Sequence, residues 1–375
     1  MENSNVLNYT VVPEKKPRYT AIGFTKFLKG IRKPHLTWCD GEVYSKLASK
    51  TWKISPGNTT YVPKAYYLDG QLDRITGTAF TDDPITMMKG GYTIKHAPTR
   101  AFMLKDVWMI NGSLYKGVHQ FKLHPTSQYE KPSQILPKIK VETEISRAAI
   151  YSSYPTHQYF GSWLIVDCNL YLLAATEGLP VTSNIYASPH MLEYESLLGM
   201  QPHRTNSAFL KEAIFFDDEF GHNENKHERF SKQRDKLISL FPRKSHPGVF
   251  ILRRDSGQAR IMKNEVEIAE QLEKKYGFQI VDVTKHSVKE ILSACVGAKV
   301  LVGVEGSHLM HGLMVLEPGT TFLALQPPNR FCGSIRMVVD MQEINFSFVI
   351  GTPSEEGFYI NMEEIERTID LLPST

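Results

Sequence analysis

The last third of the chain alternates between continuous apolar runs and segments whose apolar residues recur at helical spacing. Continuous apolar runs predict strands that are buried on both faces, and helical spacing predicts amphipathic helices between them. The predicted strands are GVFILRRD (248–255), FQIVDV, KVLVGV and TTFLAL, and the predicted helices are NEVEIAEQLEKKYG (264–277), SVKEILSACVGA and GSHLMHGLMVL. This alternation predicts a parallel sheet with right-handed crossovers.

Earlier segments give weaker patterns. DVWMINGSLYKG (106–117) predicts two short strands joined at Asn111-Gly112, because this dipeptide favours a tight hairpin turn. Residues 158–178 are the longest apolar stretch and predict a buried helix. The charged segment 217–247 predicts a connection between two domains, with a short helix inside it.

Composition narrows the class of protein. The 375 residues are 42% hydrophobic and 22% charged, as in ordinary globular proteins, and that length suggests about two domains. A net charge of +3 is too small to predict nucleic-acid binding. The four cysteines form no CxxC pair, which argues against a zinc or dithiol site and fits a reducing compartment.

The N-terminal residues lack the pattern of a signal peptide. No apolar run approaches the roughly 18 residues that a membrane-spanning helix requires. We therefore expect a cytoplasmic protein whose basic residues could contact the inner face of the membrane.

Two loops follow predicted strands and carry residues that could bind a ligand. In an open parallel sheet, ligands bind beyond the carboxyl ends of the strands. Arg253 and Arg254 follow the first predicted strand, and arginine donates paired hydrogen bonds to phosphate. VGVEGSHL (302–309) follows the third predicted strand, and a helix that starts near Gly306 would offer free N–H groups to an anion.

Together these loops predict a metal-free diphosphate site. The alternative is structural: Arg253 pairs with Asp255 or another nearby acid, while Gly303 and Gly306 form a tight turn. A diphosphate would repel Glu305, so in the ligand interpretation Glu305 faces the other end of the ligand. There it would accept a proton from an attacking hydroxyl or bind a sugar. Alternatively, Glu305 is an acid in the first turn of the helix, where the helix dipole stabilises a negative charge.

His308 and His311 are three residues apart and would share one helical face. A metal pair is disfavoured because no third ligand is evident. The remaining interpretations are a contact with phosphate or sugar, or a hydrogen-bonded histidine of the core.

At this point the sequence resembles a known family. The segment from FILRRD to TTFLAL resembles the C-terminal region of family-61 glycosyltransferases, in which an Arg-Arg-Asp-like turn, a Gly-x-His-Gly-Ala-x-Leu loop and Pro-Gly-Thr occur in this order. The helix YFGSWLIVDCNLYLL (159–173) resembles the family's Tyr-x-His-Trp-Leu-x-Asp segment, and GFYINMEEIERTIDLL (357–372) resembles its ending. The resemblance covers about residues 155–372 and does not extend to 1–145.

The resemblance implies a GT-B-like α/β fold, with two Rossmann-like domains that face each other across a cleft. The implied domains are 1–240 on the acceptor side, 241–355 for the nucleotide sugar, and a terminal helix in 356–375 that returns towards the N-terminal domain. It further implies inverting transfer from a nucleotide-diphosphate sugar to a saccharide or lipid-linked glycan, without a metal or other cofactor. The bacterial relatives are associated with capsule and lipopolysaccharide synthesis.

Carried over by position, Arg253 and Arg254 would face the diphosphate and Gly306 would let the helix approach it, with Ser307 and His308 in the same donor-binding loop. Trp163 and Asp167 would line the cleft from the other domain.

The sequence also departs from the family pattern. Glu305 replaces the family's histidine in the glycine loop, Ser307-His308 replace small residues, and Ser162 replaces a histidine.

An inverting transfer needs one base on the acceptor hydroxyl. We hypothesise that this base is Glu305, or else Asp167 or Asp40 of TWCDGE. A nucleotide-sugar epimerase or an NAD enzyme is a competing class, although no GxGxxG follows a predicted strand. A nucleotide- or glycan-binding protein that has lost catalysis on the same fold is a further alternative.

Overall fold

The computed structural model describes residues 9–13, 35–36, 41–79, 83–110, 112–116, 119–123, 141, 143–152, 156, 159–184, 187–218, 222–254 and 260–373. The chain divides into two compact units, which we call the first and the second unit. The first unit comprises Met1–Asn58 and His96–Lys226, and the second comprises Thr59–Lys95 and His227–Thr375.

The strands of the described residues are numbered in chain order. They are β1 Val11–Pro13, β2 His35–Leu36, β3 Lys50–Ser55, β4 Thr59–Val62, β5 Thr78–Ala79, β6 Tyr92–Lys95, β7 Thr99–Ile110, β8 Ser113–Lys116, β9 His119–Lys122, β10 Thr143–Ile150, β11 Leu179–Thr182, β12 His203–Arg204, β13 Ser207–Asp217, β14 His246–Leu252, β15 Gln279–Asp282, β16 Ala298–Val304, β17 Thr321–Gln326, β18 Phe331–Cys332, β19 Asn345–Ile350, β20 Thr352–Ser354 and β21 Gly357–Tyr359.

The α-helices are α1 Gly41–Leu47, α2 Pro84–Lys89, α3 Phe160–Ser162, α4 Cys168–Glu177, α5 Pro189–Leu198, α6 Glu224–Ile238, α7 Glu265–Tyr276, α8 Val288–Cys295, α9 Met310–Leu313, α10 Arg336–Met341 and α11 Met362–Asp370. A π-helical segment, Trp163–Asp167, joins α3 to α4. Short 3-10 helices span Gln71–Arg74 and Ser307–Leu309. No helix of the described residues is long and apolar enough to cross a membrane.

The first unit contains a mixed sheet in the order β12-β11-β10-β13-β7-β8-β9-β2, with β1 on β10 and β3 on β7. Strands β10 to β13 are parallel to one another, whereas β13, β7, β8 and β9 are antiparallel. The predicted hairpin is confirmed, since Ile110 pairs with Ser113 and Gly112 has a φ of 69°. Asn111 lies outside the described residues. The predicted buried helix at 158–178 is confirmed as α3, the π-helical segment and α4.

The second unit contains a sheet of five parallel strands in the order β15-β14-β16-β17-β19. Four of these strands and the helices α7 and α8 are as the sequence predicts. Helix α7 ends at Gly277, which has the left-handed conformation, and the Asn264 side chain before the helix makes no cap hydrogen bond. Strand β19 is an addition that the apolar pattern did not indicate. The α/β class with a mostly parallel sheet is therefore confirmed for this unit.

Residues 59–95 belong to the second unit, although the sequence placed them in an N-terminal domain. The Arg336 guanidinium joins this segment to the C-terminal chain by donating to the carbonyls of Met88 and Pro63. Arg74 forms an ion pair with Glu364 on α11, 2.5 Å between Nη2 and Oε1. These contacts link residues that are far apart in the chain, so local patterns could not reveal them.

Helix α11 packs within the second unit. Ile365 and Ile369 contact the hydrophobic cluster formed by Phe250, Val302, Leu323 and their neighbours. The acceptor and donor roles of the domains stay predictions.

Candidate functional site

Polar side chains lie where the parallel strands of the second unit end. Arg253 follows β14, Asp282 ends β15, Glu305 follows β16, and Gln326 ends β17. Because the strands are parallel, these residues share the carboxyl edge of the sheet, where open α/β sheets bind ligands.

Glu265 fixes the turn that contains Arg253 and Arg254. This glutamate begins α7 and accepts the backbone N–H of Arg253 at 2.6 Å and that of Arg254 at 3.0 Å. Arg254 has a φ of 52°, in the left-handed region that non-glycine residues seldom adopt. The two hydrogen bonds therefore hold a turn that the residue itself does not favour. Burial raises the pKa of the Glu265 carboxyl, and the two N–H donors oppose this shift.

The Arg253 side chain is almost fully enclosed, with 4% of the residue exposed. Its Nη1 lies 3.5 Å from Nδ1 of His308. Burial and the nearby Arg260 lower the pKa of Arg253 to about 10, while Glu305 and Glu265 oppose that shift. The guanidinium thus keeps its charge at neutral pH.

Glu305 forms ion pairs with two arginines, and the charge of a third, Arg253, also acts on its carboxylate. Its Oε2 lies 2.9 Å from Nη1 of Arg260 and 3.5 Å from Nη1 of Arg330. Its backbone carbonyl accepts a second hydrogen bond from Arg260 Nη1 at 2.7 Å. Burial raises the pKa of Glu305, and the charges of Arg260, Arg330 and Arg253 oppose the rise.

Gly306 leaves the space that these guanidinium groups occupy. A Cβ at this position would lie 2.1 Å from Nη1 of Arg253 and 2.9 Å from Nη1 of Arg260. Its φ of 157° also favours glycine. Gly303, by contrast, does not form a turn but lies within β16, where a Cβ would meet Leu309 and the carbonyl of Ile251.

The helix predicted after Gly306 is much shorter than expected. Ser307–Leu309 form one 3-10 turn and α9 covers only Met310–Leu313. A helix dipole needs several aligned peptide units, so it contributes little charge here. The positive character of the site therefore comes from guanidinium groups, which corrects the expected helix N-terminus.

His308 is buried beside Arg253. Burial, followed by the charges of Arg253, His311 and Arg260, holds the pKa of His308 well below its usual value. The ring is therefore neutral at pH 7. Among the described residues, its Nε2 has no hydrogen-bond partner.

Arg254 differs from Arg253 because 41% of its side chain is exposed. Its Nε lies 3.7 Å from Oδ2 of Asp282. Burial acts to raise the pKa of Asp282, but hydrogen bonds from Thr284 and the charges of Lys285 and Arg254 outweigh it, so the pKa is lowered.

Asp167 lies in the first unit, at the end of the π-helical segment that begins at Trp163. Both residues are buried. Single π-helical turns inside α-helices are frequent at functional sites. Asp40 lies outside the described residues.

The structure adds Arg260 and Arg330 to the site. Arg330 follows the carboxyl end of β17. The rule that ligands bind beyond the carboxyl ends of parallel strands, which pointed to Arg253, could therefore have found Arg330 as well. Arg260 follows five residues that lie outside the described ranges, and no local pattern indicated it. No three His, Cys, Asp or Glu side chains of the described residues group as ligands for a metal ion.

The model of the family Glycosyltransferase 61 matches residues 85–323, which is more than half of the chain. The chain therefore belongs to glycosyltransferase family 61, and it is an enzyme that transfers a glycosyl group from a sugar donor to a glycan acceptor. The matched range includes Asp167, Arg253, Arg260 and the loop 305–308, whereas Arg330 lies beyond it.

The match also begins earlier than the resemblance suggested. Residues 85–145, for which the sequence showed no similarity to the family, lie within the matched range. The resemblance of residues 357–372 is outside it and stays a prediction. No curated protein matches the chain.

Proposed function

We propose that this enzyme is an inverting glycosyltransferase of GT-B type and that Arg253, Arg260 and Arg330 hold the diphosphate of a nucleotide-sugar donor. The observation that carries this proposal is the convergence of the three guanidinium groups at the carboxyl edge of the second unit's parallel sheet. Arginine binds phosphate oxygens through paired hydrogen bonds and keeps its charge when partly buried.

The arginines also suit the chemistry of the transfer. When the bond between the sugar C1 and the diphosphate oxygen breaks, negative charge grows on the leaving diphosphate. Donors that are already in place stabilise this charge without reorganisation. In the proposed site, guanidinium groups therefore provide the stabilisation that other transferases obtain from a metal ion.

Inversion places the acceptor hydroxyl on the face of C1 opposite the diphosphate. A base must lie within hydrogen-bond reach of that hydroxyl. Glu305, Asp167 and Asp40 are the acids that the sequence offers for this step. Comparing kcat for Glu305→Gln, Asp167→Asn and Asp40→Asn identifies the base as the variant with the largest loss.

The GT-B assignment draws on the architecture of the units. Each unit contains parallel strands joined through helices, as a Rossmann-like domain requires. Small-angle scattering tests it, because closure of a two-domain enzyme on its donor would reduce the radius of gyration.

The family resemblance supports a role in bacterial capsule or lipopolysaccharide synthesis. The acceptor would then be a saccharide or a lipid-linked glycan. Transfer assays with free oligosaccharides and with lipid-linked oligosaccharides test this role, and a strict preference for a protein or small-molecule acceptor would contradict it.

The central experiment is isothermal titration with UDP, GDP, CMP and NAD in the presence of EDTA. We expect one nucleoside diphosphate to bind, and Arg253→Ala to lose about 1.5–3 kcal/mol of binding free energy through the lost charge-assisted contact. Arg243→Ala is a matched control, because Arg243 is 66% exposed and pairs with Glu317.

Two results would overturn the proposal. One is the absence of nucleotide binding, and the other is binding that requires added magnesium. Proton NMR of the first product formed reports the anomeric configuration, and retention of configuration would contradict the inverting mechanism.

A further inference from the structure

Two buried glutamates contact the arginines of the site in different ways. Glu265 uses both carboxylate oxygens for the backbone of Arg253 and Arg254. Glu305 uses its carboxylate for the side chains of Arg260 and Arg330. Each glutamate is about 95% buried, with 6% of Glu265 and 4% of Glu305 exposed.

Burying a carboxylate is unfavourable unless its interactions offset the loss of water. Replacement of a buried ion pair by well-packed apolar residues is often neutral or stabilising. Stability alone therefore does not explain two buried glutamates at one edge of the sheet. Their shared feature is that each restrains arginines of the proposed diphosphate site.

We infer that Glu305 and Glu265 are positioning residues, which hold Arg253, Arg260 and Arg330 in the arrangement that receives the donor diphosphate. This inference rests on the proposed function. It assigns to Glu305 a task other than accepting the proton of the acceptor hydroxyl.

The location of Glu305 supports this assignment. Its Oε2 contacts Arg260 and Arg330. These arginines bind the leaving group, so Glu305 lies on the leaving-group side of the sugar. The base of an inverting transfer must lie on the opposite side, next to the acceptor hydroxyl.

Like charges make such positioning necessary. The charges of Arg260 and Arg330 both act to lower the pKa of Arg253, so each of them repels the Arg253 guanidinium. Arginine side chains are long and have many rotamers, so without a counter-charge they would move apart before the donor arrives. Glu305 offsets the repulsion while the site awaits its ligand.

Glu265 acts on the backbone of the arginines and not on their guanidinium groups. A carboxylate that accepts two successive N–H groups fixes the backbone direction from which the Arg253 side chain leaves the strand. An amide at this position keeps one acceptor oxygen and loses the other. Glu265→Gln should therefore allow the Arg253–Arg254 turn to relax while the size of the side chain is unchanged.

The test compares Glu305→Gln and Glu265→Gln with the wild type and with Glu356→Gln, an exposed glutamate paired with Lys263. We expect the Kd for the nucleoside diphosphate to rise at least fivefold for both buried positions and to be unchanged for Glu356→Gln. With Glu305→Gln, kcat should change less than tenfold and the acidic limb of the pH–rate profile should stay in place. A hundredfold loss of kcat with unchanged Kd, or loss of the acidic limb, would show that Glu305 is the base and overturn the inference.

A second measurement does not depend on the donor. In ¹⁵N NMR, the Nε–Hε groups of Arg260 and Arg330 should be ordered in the wild type and mobile in Glu305→Gln. Equal order in both proteins overturns the inference. Should Glu305→Gln not fold, Glu265→Gln tests the positioning role through the Arg253–Arg254 turn, and an unchanged Kd for that variant overturns the inference.

Failure of the proposed function gives a different pattern. In that case the wild type binds no nucleotide, whatever the order of its arginines. Normal wild-type binding with unaffected glutamate variants refutes the positioning role alone.

Discussion

Charged residues are arranged differently on the sheets of the two units. In the first unit they form pairs across neighbouring strands, and these pairs are Arg100–Asp217, Lys211–Glu144 and Arg147–Glu212. Each of these pairs includes a side chain that is at least 31% exposed. In the second unit, Arg260 and Arg330 pair with Glu305 at the end of the strands, and the charge of Arg253 acts on the same carboxylate. Arg260 is only 8% exposed.

The difference separates two uses of charge. Pairs on exposed strand surfaces satisfy each other in water and contribute little to stability. A buried cluster loses hydration and places like charges together, which is unfavourable unless a ligand or counter-ion compensates. The second arrangement therefore suits the proposed binding site, and the first suits a solvated surface.

The largest expected effect is that of Arg260→Ala. This change leaves the buried Glu305 without its 2.9 Å partner and its carbonyl without a donor. Breaking a buried pair costs about 3–5 kcal/mol of unfolding free energy. Urea denaturation measures this value, and a loss below about 1 kcal/mol would show that the pair behaves like a surface pair.

Gly306→Ala should weaken nucleotide binding by about 1.5–3 kcal/mol, because the new Cβ displaces the Arg253 guanidinium and its charge-assisted contact. The control is Gly319→Ala, which also has a positive φ but places its Cβ in open space. Titration calorimetry should show normal affinity for the control. Equal affinities of the two variants would contradict the close approach at Gly306.

His308 should make the second unit sensitive to acid. Its folded-state pKa is lowered by burial and by nearby arginines, so the unfolded state binds a proton that the folded state excludes. Its effect is absent above the unfolded-state pKa of about 6.5, and below that pH it removes up to about 1.4 kcal/mol of stability per pH unit. His308→Gln should reduce this slope when denaturation is measured at a series of pH values below about 6.5. An identical slope in both proteins would exclude His308 as its source.

The smallest effect belongs to the first unit. Arg100→Ala removes the 2.6 Å contact to Asp217, but the arginine is 44% exposed, so the loss should be about 0.2–1 kcal/mol. Thermal or urea unfolding measures it. A loss above about 2 kcal/mol would remove the contrast between the two sheets.

The sequence predicted the second unit's sheet because its strands are buried on both faces and read as uninterrupted apolar runs. It also located Arg253 and the loop around Glu305, since both directly follow such runs. It did not reveal Arg260, whose contact with Glu305 spans 45 positions. The helix after Gly306 was predicted too long, because apolar residues continue at helical spacing beyond Leu313, where α9 ends.

Residues 59–95 could not be assigned correctly for a similar reason. Their contacts in the second unit join positions such as Met88 and Arg336, which are 248 residues apart. The roles of Arg330 and Glu265 likewise depend on tertiary contacts. Local patterns report propensity and burial, whereas the partner of a buried charge is set by the completed fold.

The path of the chain through the two units affects how the protein is made. The chain passes from one unit to the other after Asn58, after Lys95 and after Lys226. During synthesis, β4, β5 and β6 leave the ribosome long before β18 and α10, with which their unit is completed. A fragment that ends at residue 226 would carry β5 without its partner β18, and one that starts at 227 would lack β5. Dividing the gene at a single position therefore yields neither unit both complete and alone.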